Sequence, residues 1–514
     1  MSQTESILHY RAYKPRPFTA EERDRVTILF GGLHWRAERL LQGSIENCGY
    51  KARVLPPATK QDLLTGRETA DIGQCCPTSF TTGNLANFLR EEAKRKGAKA
   101  VEDEYVYVTA GACGACRFGQ YHQSYELSLR NIGMESFRMF LLDQDVSDQG
   151  TKHGGGLDIN LPFTLGAAWA MLVADVLQDM EYQIRPYEVR PGQTNEVVKE
   201  SVEYLYEVFR NRPYRKGKWD AVLWHMATPY FANALREVRR RFEQIEVDRL
   251  RVKPTVKITG EFYLQTVEGD PNYNIQHWLE REGAEVYPAA VMVWLDYLLR
   301  LAAQQQDDRA HVQRGARWRA RAIRTGQRLL RWNHDRMRGA LGGIPREMPE
   351  QNELRDLAAP YYHSRLDGGE GDMLIGKALW AYKHKKAHMT CELSPYSCMP
   401  NTMSIGAMAA VLGKYPDLLY APLEVKGDAE VHALSRCQMI LTEAKKQAQR
   451  EYEEALEQTG LTTERARELL DAAPQFRRAT FRLPHYGMAG AAANMVMHLA
   501  REQGARRGAA RRSR

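Results

Sequence analysis

Residues 25–56, RVTILFGGLHWRAERLLQGSIENCGYKARVLP, run from a β-branched apolar stretch through a Gly-Gly turn into a segment whose apolar residues recur at helical spacing. A glycine stop at Gly49 and a second short strand-like stretch complete the unit, which reads as strand, helix, strand. Further along come the strand EYVYVTAG, a C-x-x-C turn, a helix through about Arg130 and the strand SFRMFLLD. Strands alternating with helices predict a largely parallel sheet over residues 25–150, after an N-terminal arm at 1–24.

The pattern returns after a helical stretch. Following the Gly-rich loop DQGTKHGGGLDIN, residues 151–250 carry helices such as LPFTLGAAWAMLVADVLQDM, read as a helical subdomain. A second α/β unit opens at KPTVKITGEFYL, and its glycine stop at Gly283 repeats the punctuation of Gly49. The expectation is therefore α/β: two Rossmann-like open-sheet domains, 25–150 and 251–448, facing a cleft. A helical extension at 449–500 and a basic, disordered tail at 501–514 complete the chain.

Composition narrows the function classes. The chain has 514 residues, 43% hydrophobic and 26% charged, which favours packed domains over disorder. Its net charge of +8 is concentrated in the last 14 residues, where six arginines face one glutamate, so nucleic-acid binding is not expected of the folded body. The best apolar run, Tyr287 to Ala303, is interrupted by Asp296 and Arg300, short of the roughly 20 residues a bilayer requires. No membrane span is expected. With no apolar signal core near the N-terminus, the expected location is the cytoplasm.

Eight cysteines in a reducing compartment point to metal or redox chemistry rather than structural disulfides. Cys75 and Cys76 in DIGQCCPTSFTTGN, Cys113 and Cys116 in GACGACRFGQ, and Cys398 in ELSPYSCMPN stand where strand-like segments are expected to hand over to helices. In an open α/β sheet those are the carboxyl ends of strands, where ligand crevices form. Helix N-termini and Arg117 would stabilise thiolates there, and small neighbours let backbone N–H groups approach the sulfurs. The spacing alone also admits a zinc site, completed by Cys75 or Cys76 with Cys398 or His122, or a dithiol. Cys48 and Cys437 read as buried helical core, while Cys391, inside a strand, points either way. Glu261, Gln265, Ser394 and His122 lie near the same turns, and none is assigned a catalytic role.

Four motifs in order, FGGLHWRAERLLQGSIENCGYKARVLP, DIGQCCPTSFTTGNLANFL, GACGACRFGQY and ELSPYSCMPN with its preceding IGKALWAY, resemble the activase-related part of the 2-hydroxyacyl-CoA dehydratase system. The resemblance spans about residues 25 to 445. It implies a cysteine-ligated [4Fe–4S] cluster between two α/β domains, held by Cys75, Cys113, Cys116 and Cys398. It also implies low-potential electrons from a separate ATP-dependent activator or reductase, because no phosphate-binding loop of the activator type is found in this chain. A double-cubane cluster would recruit Cys76 and Cys391 as well. A homodimer is compatible with this reading, and no CoA-binding motif is identified.

Overall fold

The computed structural model describes residues 15–71, 73–111, 116–142, 155–215, 217–366 and 369–512. Cys113 and residues 148–154 of the Gly-rich loop lie outside the described residues. Two four-stranded parallel sheets form the frame. The first contains β1 (Thr27–Phe30), β2 (Lys51–Val54), β3 (Tyr105–Ala110) and β4 (Arg138–Leu142), in the order β2-β1-β3-β4. The second contains β5 (Thr255–Gly260), β6 (Glu285–Tyr287), β7 (Met389–Pro395) and β8 (Leu419–Val425), in the order β6-β5-β7-β8. The expected pair of Rossmann-like open-sheet domains is present, and the two share one strand order.

Burial explains the strand composition. Every residue of β5 and of β7 is buried, as befits central strands covered on both faces by helices. In register, Ile258 of β5 lies beside Cys391 of β7, and Cys391 beside Ala421 of β8. The edge strand β2 alternates exposed and buried residues, KARV, as a half-covered edge allows.

The helices Leu161–Ile184, Gln193–Arg210 and Tyr230–Phe242 share one hydrophobic core with Ala37 and Leu40 of the first domain and Trp380 and Ala381 of the second. The helical region is thus a wedge joined to both sheets. Leu161–Tyr187, rather than Tyr287 to Ala303, is the stretch among the described residues long and apolar enough to cross a membrane. That stretch is 61% buried inside the protein, as a core helix would be.

Polar pins lock the wedge in place. Asp175 accepts from the backbone N–H of Val291 (3.1 Å) and Met292 (2.7 Å) and meets His34 Nε2 at 3.3 Å. Arg36 donates to Glu181 of the wedge (2.5 Å) and to Glu268 after β5 (2.7 Å). The helix Glu430–Thr459 runs through the boundary expected at 448, and the helix Ala491–Arg512 continues into the stretch expected as a disordered tail. Alanine and arginine, nine of the 14 residues there, are good helix formers and outweigh Gly504 and Gly508.

Candidate functional site

Cys75 is placed by a helix–helix turn, where a strand end was expected. The helix Lys60–Thr69, begun by a capping box between Thr59 and Asp62, crosses the helix Cys76–Lys96, of which Cys75 is the N-cap. Two glycines permit the crossing: a Cβ on Gly83 would stand 1.7 Å from the Asp62 carbonyl oxygen, and one on Gly66 would stand 1.9 Å from that of Ser79. Pro77 occupies the first turn of the second helix, where its missing N–H is not needed. Cys75 Sγ contacts Thr78 Oγ1 and the Tyr121 hydroxyl, both at 3.2 Å.

Cys116 and Cys398 occupy matching positions. Each follows the third strand of its sheet and caps a helix: Cys116 the short 3-10 turn Arg117–Gln120, Cys398 the helix Met399–Lys414. Cys116 Sγ accepts from the Phe118 N–H at 3.5 Å, and Cys398 Sγ donates to Asn401 Oδ1 at 3.4 Å. Ser397, just before Cys398, has φ 68°, a left-handed conformation costly for a side-chain-bearing residue and held here by the strand before it and the helix after it. The Arg117 guanidinium, expected to stabilise a thiolate, instead donates to the Gly73 carbonyl and braces the Cys75 turn against the Cys116 turn.

Between the sheets lies a cavity of about 990 Å³ that Cys116 and Cys398 both line. Its walls are mainly apolar, with Phe30, Phe163, Trp294 and Leu298 among them; Tyr121, whose hydroxyl touches Cys75, lines it too, whereas Cys75 itself does not. Burial pushes the Cys116 thiol up to about 12, with Glu370, Glu261 and Cys75 adding to the shift. The Cys398 thiol is raised by burial and then by Glu261, Glu370 and Cys116, and the Cys75 thiol is raised by burial as well. Three expected ligands from three turns therefore share one electrostatic neighbourhood with two carboxyls.

Those carboxyls belong to the second domain. Gly260 ends β5 at φ 131°, where a Cβ would stand 2.2 Å from the Leu393 carbonyl oxygen, and the turn delivers Glu261 as a helix N-cap. Glu261 accepts from the N–H groups of Tyr263 (3.1 Å) and Leu264 (2.9 Å), and Glu370 accepts from that of Phe262 (3.0 Å). Burial raises both acids, and the charge of Glu370 raises Glu261 further. Behind them, Asn401 donates to Glu392 (3.2 Å) and the Tyr420 hydroxyl donates to it at 2.8 Å. Buried Lys377 stands within the field of Glu370 and Glu392.

The remaining candidates are dispersed. Cys76 is buried in the core around Leu63 and Tyr263, and Cys391, fully buried, is hydrogen-bonded to Cys437; neither lines the cavity. Cys437 is core, as expected, while Cys48 is half-buried and accepts from Arg212 at 3.8 Å. Among the residues named near the turns, Glu261 lines the cavity, whereas Gln265, Ser394 and His122 do not. Sequence reading missed Glu370, whose only local signal is its position between Gly369 and Gly371 in a loop.

Among the described residues, which exclude Cys113, no three His, Cys, Asp or Glu side chains close on a single-ion position. The donor set fits a cluster through its chemistry. Buried thiols and carboxyls are all raised toward their neutral forms, an environment that a bound cationic centre would reverse by stabilising thiolate. The Phe118 N–H donates to Cys116 Sγ, and Cys75 and Cys398 stand at helix N-termini, the kind of N–H-rich setting that cluster sites use. Compared with known proteins, the chain matches no family model, no curated protein and no solved structure.

Proposed function

We propose that the chain is a cytoplasmic iron–sulfur redox protein related to the 2-hydroxyacyl-CoA dehydratase system, with a [4Fe–4S] cluster held by Cys75, Cys113, Cys116 and Cys398. The observation that supports this best is that thiols on turns of both α/β domains open on one largely apolar cavity. Bound there, the cluster supplies one-electron chemistry at low potential. The protein's own groups do the rest. Apolar walls exclude water, the Tyr121 hydroxyl donates toward the Cys75 sulfur, and Glu261 with Glu370 holds a proton beside the cleft. Electrons come from a separate ATP-dependent activator and pass to a partner or to a substrate in the cleft. Cys391, engaged with Cys437 in the core, favours a single cube over the double-cubane version.

Protein purified without oxygen is expected to be brown, with about four iron and four sulfide per chain and an EPR signal on reduction. Colourless protein carrying zinc contradicts the proposal.

A further inference from the structure

A second cavity, of about 860 Å³, opens at the amino ends of β5 and β7, the end of the second sheet opposite the cysteine turns. The helix Ala316–Ala340 and residues 481–494 complete its walls, and its volume suits a small molecule, for which about 300–1,000 Å³ is usual. Its acidic groups are engaged. Glu285 pairs with Arg346, Glu347 with Arg338 and Glu353 with His384, while Glu350 caps the helix Gln351–Ala358.

Four of its cations form no direct ion pair. Among the described residues, Arg249, Lys385, Lys386 and Arg482 have no carboxylate within ion-pairing distance. Arg249 is only 5% exposed, and its guanidinium donates to two carbonyls, those of Arg478 (3.3 Å) and Ala479 (3.2 Å). Burial depresses its pKa to about 10 against the pull of Tyr187 and Glu285, and burial lowers Lys386 as well, with Glu347 opposing the shift and Arg346 adding repulsion. Behind the wall shared by Tyr287 and Arg346 sits Lys257, 4% exposed, its Nζ 3.5 Å from the centre of the Tyr287 ring. Buried Arg249 and Lys257 are influenced by Glu285 and Asp179, respectively, without pairing directly with either, and an anion entering the cavity would lower the cost of burying Arg249.

We propose that this cavity binds a small molecule bearing a phosphoanhydride, of nucleotide size, its phosphate oxygens accepting from Arg249, Lys385, Lys386 and Arg482. Cations arriving from separate segments match the several oxygens of a diphosphate better than one planar carboxylate, and an arginine fork suits phosphate. The concave setting, with Arg249 buried in its wall, favours a small ligand over a nucleic-acid strand. Trp380 and Phe481 add apolar surface for a base or other flat group.

Calorimetric titration of the full chain with ADP, and separately with inorganic pyrophosphate, tests this. The expected result is saturable binding, weakened about tenfold or more in the double variant Lys386→Gln/Arg482→Gln and weakened by added salt. Arg482 is exposed and Lys386 half-buried, so the double variant should keep its circular dichroism and melting temperature. ADP binding tighter than pyrophosphate assigns the diphosphate to a nucleotide; equal affinities assign it to an inorganic source. No saturable heat from either anion at millimolar concentration overturns the inference. So does an affinity unchanged in the double variant, or binding only of a single-stranded oligonucleotide that ADP does not displace.

Discussion

In the first α/β domain the long helix leading toward the third strand begins at Cys75, and the turn after that strand carries Cys116; in the second domain the corresponding positions hold Glu370 and Cys398. After the first strand, the first domain turns through Gly31 and Gly32 to His34, whereas the second turns through Gly260 to Glu261. One strand order, used twice, thus gives corresponding turns in the two domains, and of the three thiols Cys116 and Cys398 line the cavity, while Cys75 reaches it through Tyr121. Side-chain choice then differs: thiols dominate one half, and two carboxyls and one thiol arm the other. The topology decides where chemistry can occur, and individual residues decide which chemistry it is.

The comparison can be broken most severely where the halves are tied together. Arg36, 1% exposed, reaches Glu181 in the wedge and Glu268 in the second domain, so Arg36→Ala leaves Glu268 without its ion pair and Glu181 with Arg185 alone. A loss of about 3–5 kcal/mol in urea unfolding is expected. A loss under about 1 kcal/mol would mean that the domains are not coupled through this residue.

A smaller effect sharpens the first half alone. Gly83→Ala forces a methyl against the Asp62 carbonyl and should cost about 1–3 kcal/mol, while displacing the Cys75 turn and lowering iron content. Full iron loading in a destabilised Gly83→Ala protein would show that the helix crossing does not position Cys75.

The second half is probed by pH. Burial first, and then the charge of Glu370, raise Glu392 to about 7, against hydrogen bonds from Tyr420 and Asn401 that lower it. Because its folded pKa lies above the unfolded value of about 4.3, the protonated carboxyl favours the folded state at low pH. That contribution falls by about 1.4 kcal/mol per pH unit as pH rises from about 4.3 to its folded value, and then levels off. Glu392→Gln should flatten this part of the stability–pH curve, as read from melting temperatures between pH 5 and 8. Parallel curves for the two proteins would refute an ionisable Glu392 in the core.

Both sheets were legible in the sequence because β-branched runs bounded by glycine stops leave few alternatives. The turns after β3 and β7 were legible for the same reason. Cys75 was read as following a strand because the helix Lys60–Thr69 has little apolar periodicity; the Thr59-to-Asp62 capping box was the available signal. The pairing of Glu261 with Glu370 is a tertiary event between distant loops, which no local pattern encodes. The strand context of Cys391 left its direction open, and only packing of the helix Glu430–Thr459 sets it against Cys437. The four cations of the second cavity that form no ion pair come from three segments far apart in the chain, Arg249, Lys385–Lys386 and Arg482, so their grouping was equally invisible.

The central claim is that both domains contribute thiols to one centre. Iron content of anaerobically purified Cys398→Ser, compared with Cys116→Ser and Cys437→Ser prepared alongside, measures it directly. The account predicts that losing the single thiol from the second domain removes most of the iron, as losing Cys116 from the first does, while Cys437→Ser keeps it. Full iron in Cys398→Ser, or equal losses in all three, would contradict it.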